Sequence, residues 1–69
     1  MIKTGTEVQW DWGHGTAKGK VEETYTKKIT KTIKSTKVTR EGTSGNKALF
    51  IKQSDGDYVL KSENEVKRV

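Results

Sequence analysis

The amino-acid sequence predicts an all-β fold, and three observations carry that prediction. Thr, Val, Ile, Trp, Tyr and Phe dominate the uncharged residues, and these types suit a pleated, half-buried surface. Ten residues are threonine, whose β-branch restricts χ1 and fits a helix poorly. Apolar residues recur with period two, and no window carries them at i, i+3, i+4 and i+7 over three turns. With 29% hydrophobic and 33% charged residues, the composition sits near the boundary of disorder. The periodic placement of the aromatics argues for a folded chain.

Residues 6–12 form the first expected strand. Val8, Trp10 and Trp12 point one way, and Glu7, Gln9 and Asp11 the other. Gly13-His14-Gly15-Thr16 reads as a loop. Residues 17–26 read as a long second strand with Ala17, Gly19, Val21, Glu23 and Tyr25 on one face. The small residues at 17 and 19 suggest a close crossing over Trp10 and Trp12, since a glycine inside a strand often marks such an approach. Residues 27–40 differ in kind. Lys27, Lys28, Lys31, Lys34, Lys37 and Arg40 are six cations in fourteen residues with no acid, and Ile29, Ile33 and Val38 are the only aliphatics. A bend at Ser35-Thr36 would separate strands at 28–34 and 37–41, giving an exposed hairpin that leans on the core. Its lysines would also discourage edge-to-edge pairing. Residues 41–47 read as a loop, with Gly42, Ser44, Gly45 and Asn46 as turn formers. Residues 48–54 are the most apolar stretch and are expected to lie inside the sheet. Asp55-Gly56 signals a hairpin. Residues 57–61 return from it, with Tyr58 and Leu60 on one side and Val59 on the other. Ser62-Glu63-Asn64-Glu65 matches the S-x-x-E capping box that opens a helical turn. Val66 would then fold back as a plug.

Five or six short strands leave an open sheet with two bare faces. Curling into a small SH3-like barrel buries one face of every strand and reduces the exposed edges; an OB-fold needs more strand length. The expectation is one domain over 1–69, an SH3-like barrel of five to six strands with an inserted basic hairpin and a short C-terminal helical turn. A chain this short buries only about 60% of the surface its unfolded form exposes. Cysteine is absent and histidine occurs once, so neither a disulfide nor a structural zinc site holds the fold. The longest apolar run, Ala48-Leu49-Phe50-Ile51, is too short to span a membrane. Residues 1–5 lack the apolar segment of a secretory signal. The expectation is a cytoplasmic monomer.

Four segments follow one another in a recognisable order: Val8-Gln9-Trp10-Asp11-Trp12-Gly13, Gly15-Thr16-Ala17-Lys18-Gly19-Lys20-Val21, Val38-Thr39-Arg40-Glu41-Gly42, and Asp55-Gly56-Asp57-Tyr58-Val59-Leu60-Lys61-Ser62. This pattern resembles the hypervirulence-associated protein Tudor-domain family of bacteria and fungi, over about residues 5–65. The resemblance implies a Tudor-like, SH3-type barrel. It implies no catalytic residues, because the family has none established. One position departs from the family. Pro often follows the Asn of the loop before the apolar strand, and here Lys47 follows Asn46.

Four constellations bear on function. His14 lies between two glycines without the converging Ser and Asp of a hydrolytic triad. Asp55 and Asp57 are accounted for by a turn and by solvent, so no enzyme, cofactor or metal site is expected. The stretch Gly13–Lys20 is glycine-rich, but phosphate loops open into a helix N-terminus and this one opens into a strand; a nucleotide or other anionic small molecule there is the weakest reading. Trp12, Tyr25 and Tyr58 fall at strand ends and offer an aromatic rim for a protein or peptide. The basic surface is the most unusual feature. Lys27, Lys28, Lys31, Lys34, Lys37 and Arg40, with Lys18, Lys20 and Lys52 as neighbours, suit an anionic partner such as nucleic acid, whose phosphates release counterions to lysine. The plainer account is a solvated, solubilising face. The chain carries a formal charge of +5 and a pI near 9.6.

Overall fold

The computed structural model describes residues 2–69. Seven strands form in chain order: β1 (Glu7–Trp12), β2 (Gly15–Tyr25), β3 (Lys28–Ile33), β4 (Thr36–Glu41), β5 (Ala48–Gln53), β6 (Tyr58–Ser62) and β7 (Lys67–Arg68), with a 3-10 turn at Glu63–Glu65 between the last two. All pairings are antiparallel. One sheet has the order β6-β5-β2-β1-β7, and β3 pairs with β4 in a second sheet. The second sheet packs against β6. This is the small Tudor/SH3-like β fold that the alternation predicts. The β3–β4 hairpin packs beside the main sheet and shares no ladder with it.

The core follows from the alternation. Val8 and Trp10 from β1, Val21 from β2, and Leu49 and Ile51 from β5 are buried together, and Ile2 and Val66 close the cluster. Val66 thus occupies the plugging position read from the sequence. Val59 packs against this cluster, whereas Tyr58 and Leu60 alternate away from it. Interior strand β5 is covered on both sides. Leu49 and Ile51 face the core, and Ala48 on the other side is fully buried, which suits its uninterrupted apolar run.

Five details of the sequence reading are corrected. The hairpin bend falls at Lys34-Ser35 rather than Ser35-Thr36, with φ of +50° and +65°. Two successive positive φ values match the right-handed twist of flanking strands, and Thr36, whose β-branch suits extended backbone, joins β4. In β2, Glu23 and Tyr25 do not share the face of Val21. Val21 pairs with Ile51 but Glu23 pairs with Phe50, because a bulge at Glu22 inserts one residue and reverses the alternation. Gly19 does allow a close approach, but to β5 rather than to Trp10 and Trp12. A Cβ there would lie 2.6 Å from Ile51 Cγ2 and 2.7 Å from the Lys52 carbonyl oxygen. Gly42 is a buried packing position rather than a turn former. A Cβ on it would fall onto the Tyr25 carbonyl oxygen and within 2.9 Å of the Ala48 nitrogen. β2 also starts earlier than expected, at Gly15, leaving Gly13-His14 as a two-residue connection.

Candidate nucleic-acid interface

The basic hairpin divides its cations between two faces. Directly opposed residues in the β3–β4 ladder share a face, so Ile29 with Arg40 and Lys31 with Val38 make one side, and Lys28 with Glu41 and Thr32 with Lys37 make the other. The first side is half-buried and the second exposed. Three cations are held by carboxylates of three different elements. Lys31 Nζ lies 3.1 Å from Glu23 Oε1 on β2. Lys34 Nζ lies 2.8 Å from Asp57 Oδ2 beside the β5–β6 turn. Arg40 Nε lies 3.1 Å from Glu65 Oε1 in the 3-10 turn. These three residues fasten the hairpin. Lys27, Lys28 and Lys37 remain exposed, without an ion-pair partner among the described residues.

The titration shifts agree with that division. The Glu23 carboxyl is held below its usual range by the Tyr25 hydroxyl and by Lys31, which both donate to it. The Lys31 ammonium is raised by hydrogen bonding with Tyr25 and Glu23. Hydrogen bonding to Asp57 raises Lys34. For Glu65, partial burial works against the charge. The Ser62 N–H, at 2.8 Å, and Arg40 outweigh it, so the carboxyl is lowered.

Of the three rim aromatics, Tyr25 and Tyr58 gather around Phe50 and Trp12 stands apart. Tyr25 donates to Glu23 and lies under the Lys31 ammonium, 5.3 Å from its ring centroid. Tyr58 stacks on Phe50 with centroids 4.8 Å apart and planes within 4°. Lys31 also lies 4.9 Å from the Phe50 centroid, so the hairpin covers this aromatic cluster. Trp12 stands elsewhere, 64% exposed at the end of β1. It lines a separate groove of about 340 Å³ with Trp10, Ala17, Gln53, Asp55, Asp57, Val59 and Lys61.

A second group of cations converges on the main sheet. Lys20 stands directly opposite Lys52, and Lys18 lies two residues along β2 on the same face. These three line an open cleft of about 450 Å³ with Glu7, Gly19, Glu22, Gln53 and Ser54. Lys20 also faces Glu7 across β1–β2. Even so, no ion pair within 4 Å forms to Lys18, Lys20 or Lys52 among the described residues. Lys52 Nζ is 6.0 Å from the Tyr58 centroid, the outer limit of a cation–π contact. The sequence reading named Lys52 only as a neighbour. The signal it lacked was strand register, which sets Lys52 against Lys20.

The glycine-rich stretch offers no cradle. Gly13-His14 is a tight turn between paired Trp12 and Gly15, and His14 is exposed. No group of three or more His, Cys, Asp or Glu side chains is placed to hold a metal ion among the described residues. No helix there is long and apolar enough to cross a membrane.

The fold and its open, charged clefts define a small Tudor-like β module. The family model for the Tudor domain of hypervirulence-associated proteins matches residues 5–66, and the chain belongs to that family. Tudor-like domains are normally non-catalytic interaction modules. No curated protein and no solved structure shows a significant match. Lys47, which follows Asn46 in the loop before β5, uses its backbone amide in the fold. The Lys47 N–H donates to Glu63 Oε1 at 3.2 Å, a bond that proline cannot make.

Proposed function

We propose that this protein is a non-catalytic module that binds nucleic acid by its phosphate backbone. Lys18, Lys20 and Lys52 carry the contact, with Lys27, Lys28 and Lys37 on the hairpin adding to it. The single observation behind this reading is Lys20 set against Lys52, with Lys18 beside them, in an open cleft where none of the three forms an ion pair among the described residues. Like charges directly opposed on a sheet destabilise it, and a row of phosphates supplies them with counter-charge. Lys31, Lys34 and Arg40 have a lesser part, because each already holds a carboxylate. The peptide reading has less behind it, since Trp12 stands apart from Tyr25 and Tyr58.

The test is titration of a fluorescent oligonucleotide at two salt concentrations. Three phosphate contacts give a slope of log K against log salt of about −2 to −3. Replacing Lys18, Lys20 and Lys52 together by Gln abolishes most of the binding. Replacing Lys28 and Lys37 weakens it less. Binding indifferent to salt, or unchanged in the triple variant, overturns the proposal.

A further inference from the structure

We infer that the nucleic acid is single-stranded and that Trp12 stacks on one of its unpaired bases. This rests on the nucleic-acid reading above and adds a second cleft to it. The two clefts meet, because Gln53 lines both. Their walls on β2 are also continuous: Ala17 borders the tryptophan groove and Gly19 the lysine cleft. Trp12 is uncovered for a local reason. Its partner across the ladder is Gly15, which has no side chain, and the partner of Trp10 is Ala17. Small residues along β2 therefore leave a lane beside the indole as far as Gly19 and Gln53, the rim shared with the cleft where the three lysines project from the other face of the sheet.

The balance of charge changes along that lane. Lys18, Lys20 and Lys52 outnumber Glu7 and Glu22 in one cleft, while Asp55 and Asp57 outnumber Lys61 in the other. A uniformly anionic polymer suits only the first. A strand with charged phosphates and neutral bases suits both, with the phosphates on the lysines and one base on the indole face. Asp55 Oδ1 accepts the Asp57 N–H at 3.0 Å, and Oδ2 is not committed to that turn. A carboxylate beside the stacked base accepts from an exocyclic amino group, as it does from cytosine N4. Aromatic stacking tolerates any base but requires it to be unpaired, so a duplex reaches the lysines without reaching Trp12.

Tryptophan emission during titration at low salt reads this directly, because Trp10 is 6% exposed and Trp12 64%. The probes are an oligo-dC single strand and a duplex of the same length. The single strand quenches the emission and binds roughly tenfold more tightly than the duplex. Trp12→Ala loses roughly ten- to a hundredfold in single-strand affinity with its salt slope unchanged, and Trp12→Phe recovers most of the loss. Salt-dependent binding that ignores Trp12→Ala, or that favours the duplex, overturns this inference and leaves the phosphate reading standing. Quenching by a lysine-rich peptide in place of the oligonucleotide overturns it as well. Absence of salt-dependent binding to either nucleic acid overturns both.

Discussion

Gly42 carries a constraint that its residue type alone does not reveal. It lies just past β4, where its N–H donates to the Lys27 carbonyl at 3.0 Å and where the backbones of β2 and β5 approach. Any side chain there meets main-chain atoms, which cannot turn aside as a flexible side chain would. Gly42→Ala is expected to cost about 1–3 kcal/mol as an overpacking change, or roughly 5–20 °C in thermal midpoint for a domain of this size. A melting curve of the variant checks it. Sequence composition marked Gly42 as a turn residue because glycine serves both roles, and only the packing of three strands separates them. Lys47 makes the same point. Its amide is used by Glu63, a partner sixteen residues away that local pattern does not supply.

At the scale of the element, the hairpin was legible as a hairpin but not in the use of its charges. Period-two alternation located β3 and β4 and their thin aliphatic seam of Ile29, Ile33 and Val38. Which cations face inward depends on where the turn falls, and it falls at Lys34-Ser35. Lys31, Lys34 and Arg40 then meet acids contributed by β2, the β5–β6 turn and the 3-10 turn. The Arg40–Glu65 link makes a pH prediction. Glu65 has its carboxyl lowered in the folded state from an ordinary value of 4.5. Its contribution is therefore complete above that value and is lost as the pH falls through the lower, folded one. Glu65→Gln should start less stable at neutral pH and decline less steeply between about pH 5 and pH 3. Thermal midpoints measured across that range decide it; parallel wild-type and variant curves count against the assignment.

Over the whole molecule, the fold could be read from composition and alternation, but the candidate interface could not. Lys18, Lys20 and Lys52 are separated by some thirty residues along the chain and converge only through the β2–β5 register. A run of six cations drew attention to residues 27–40, yet half of that run is spent internally. Stability and binding should oppose each other at the Lys20–Lys52 pair. Lys52→Gln is expected to stabilise the protein by roughly 0.2–1 kcal/mol at low salt by removing like-charge opposition. The gain should shrink as salt screens the pair, and affinity for an anionic strand should fall at the same time. Denaturant titration at two ionic strengths, beside the binding assay, measures both; a loss of stability at low salt rejects the idea.

The bulge at Glu22 makes the flap and the barrel answer to different side-chain phases within one strand. Up to Val21 the inward positions feed the hydrophobic interior, and beyond it Glu23 and Tyr25 reach out to grip the lysine at position 31. Straightening the bulge with Glu22 kept would restore strict alternation, swing an acid and a phenol toward the oily centre, and unlatch the hairpin at a stroke, whereas deleting it would leave both facing outward.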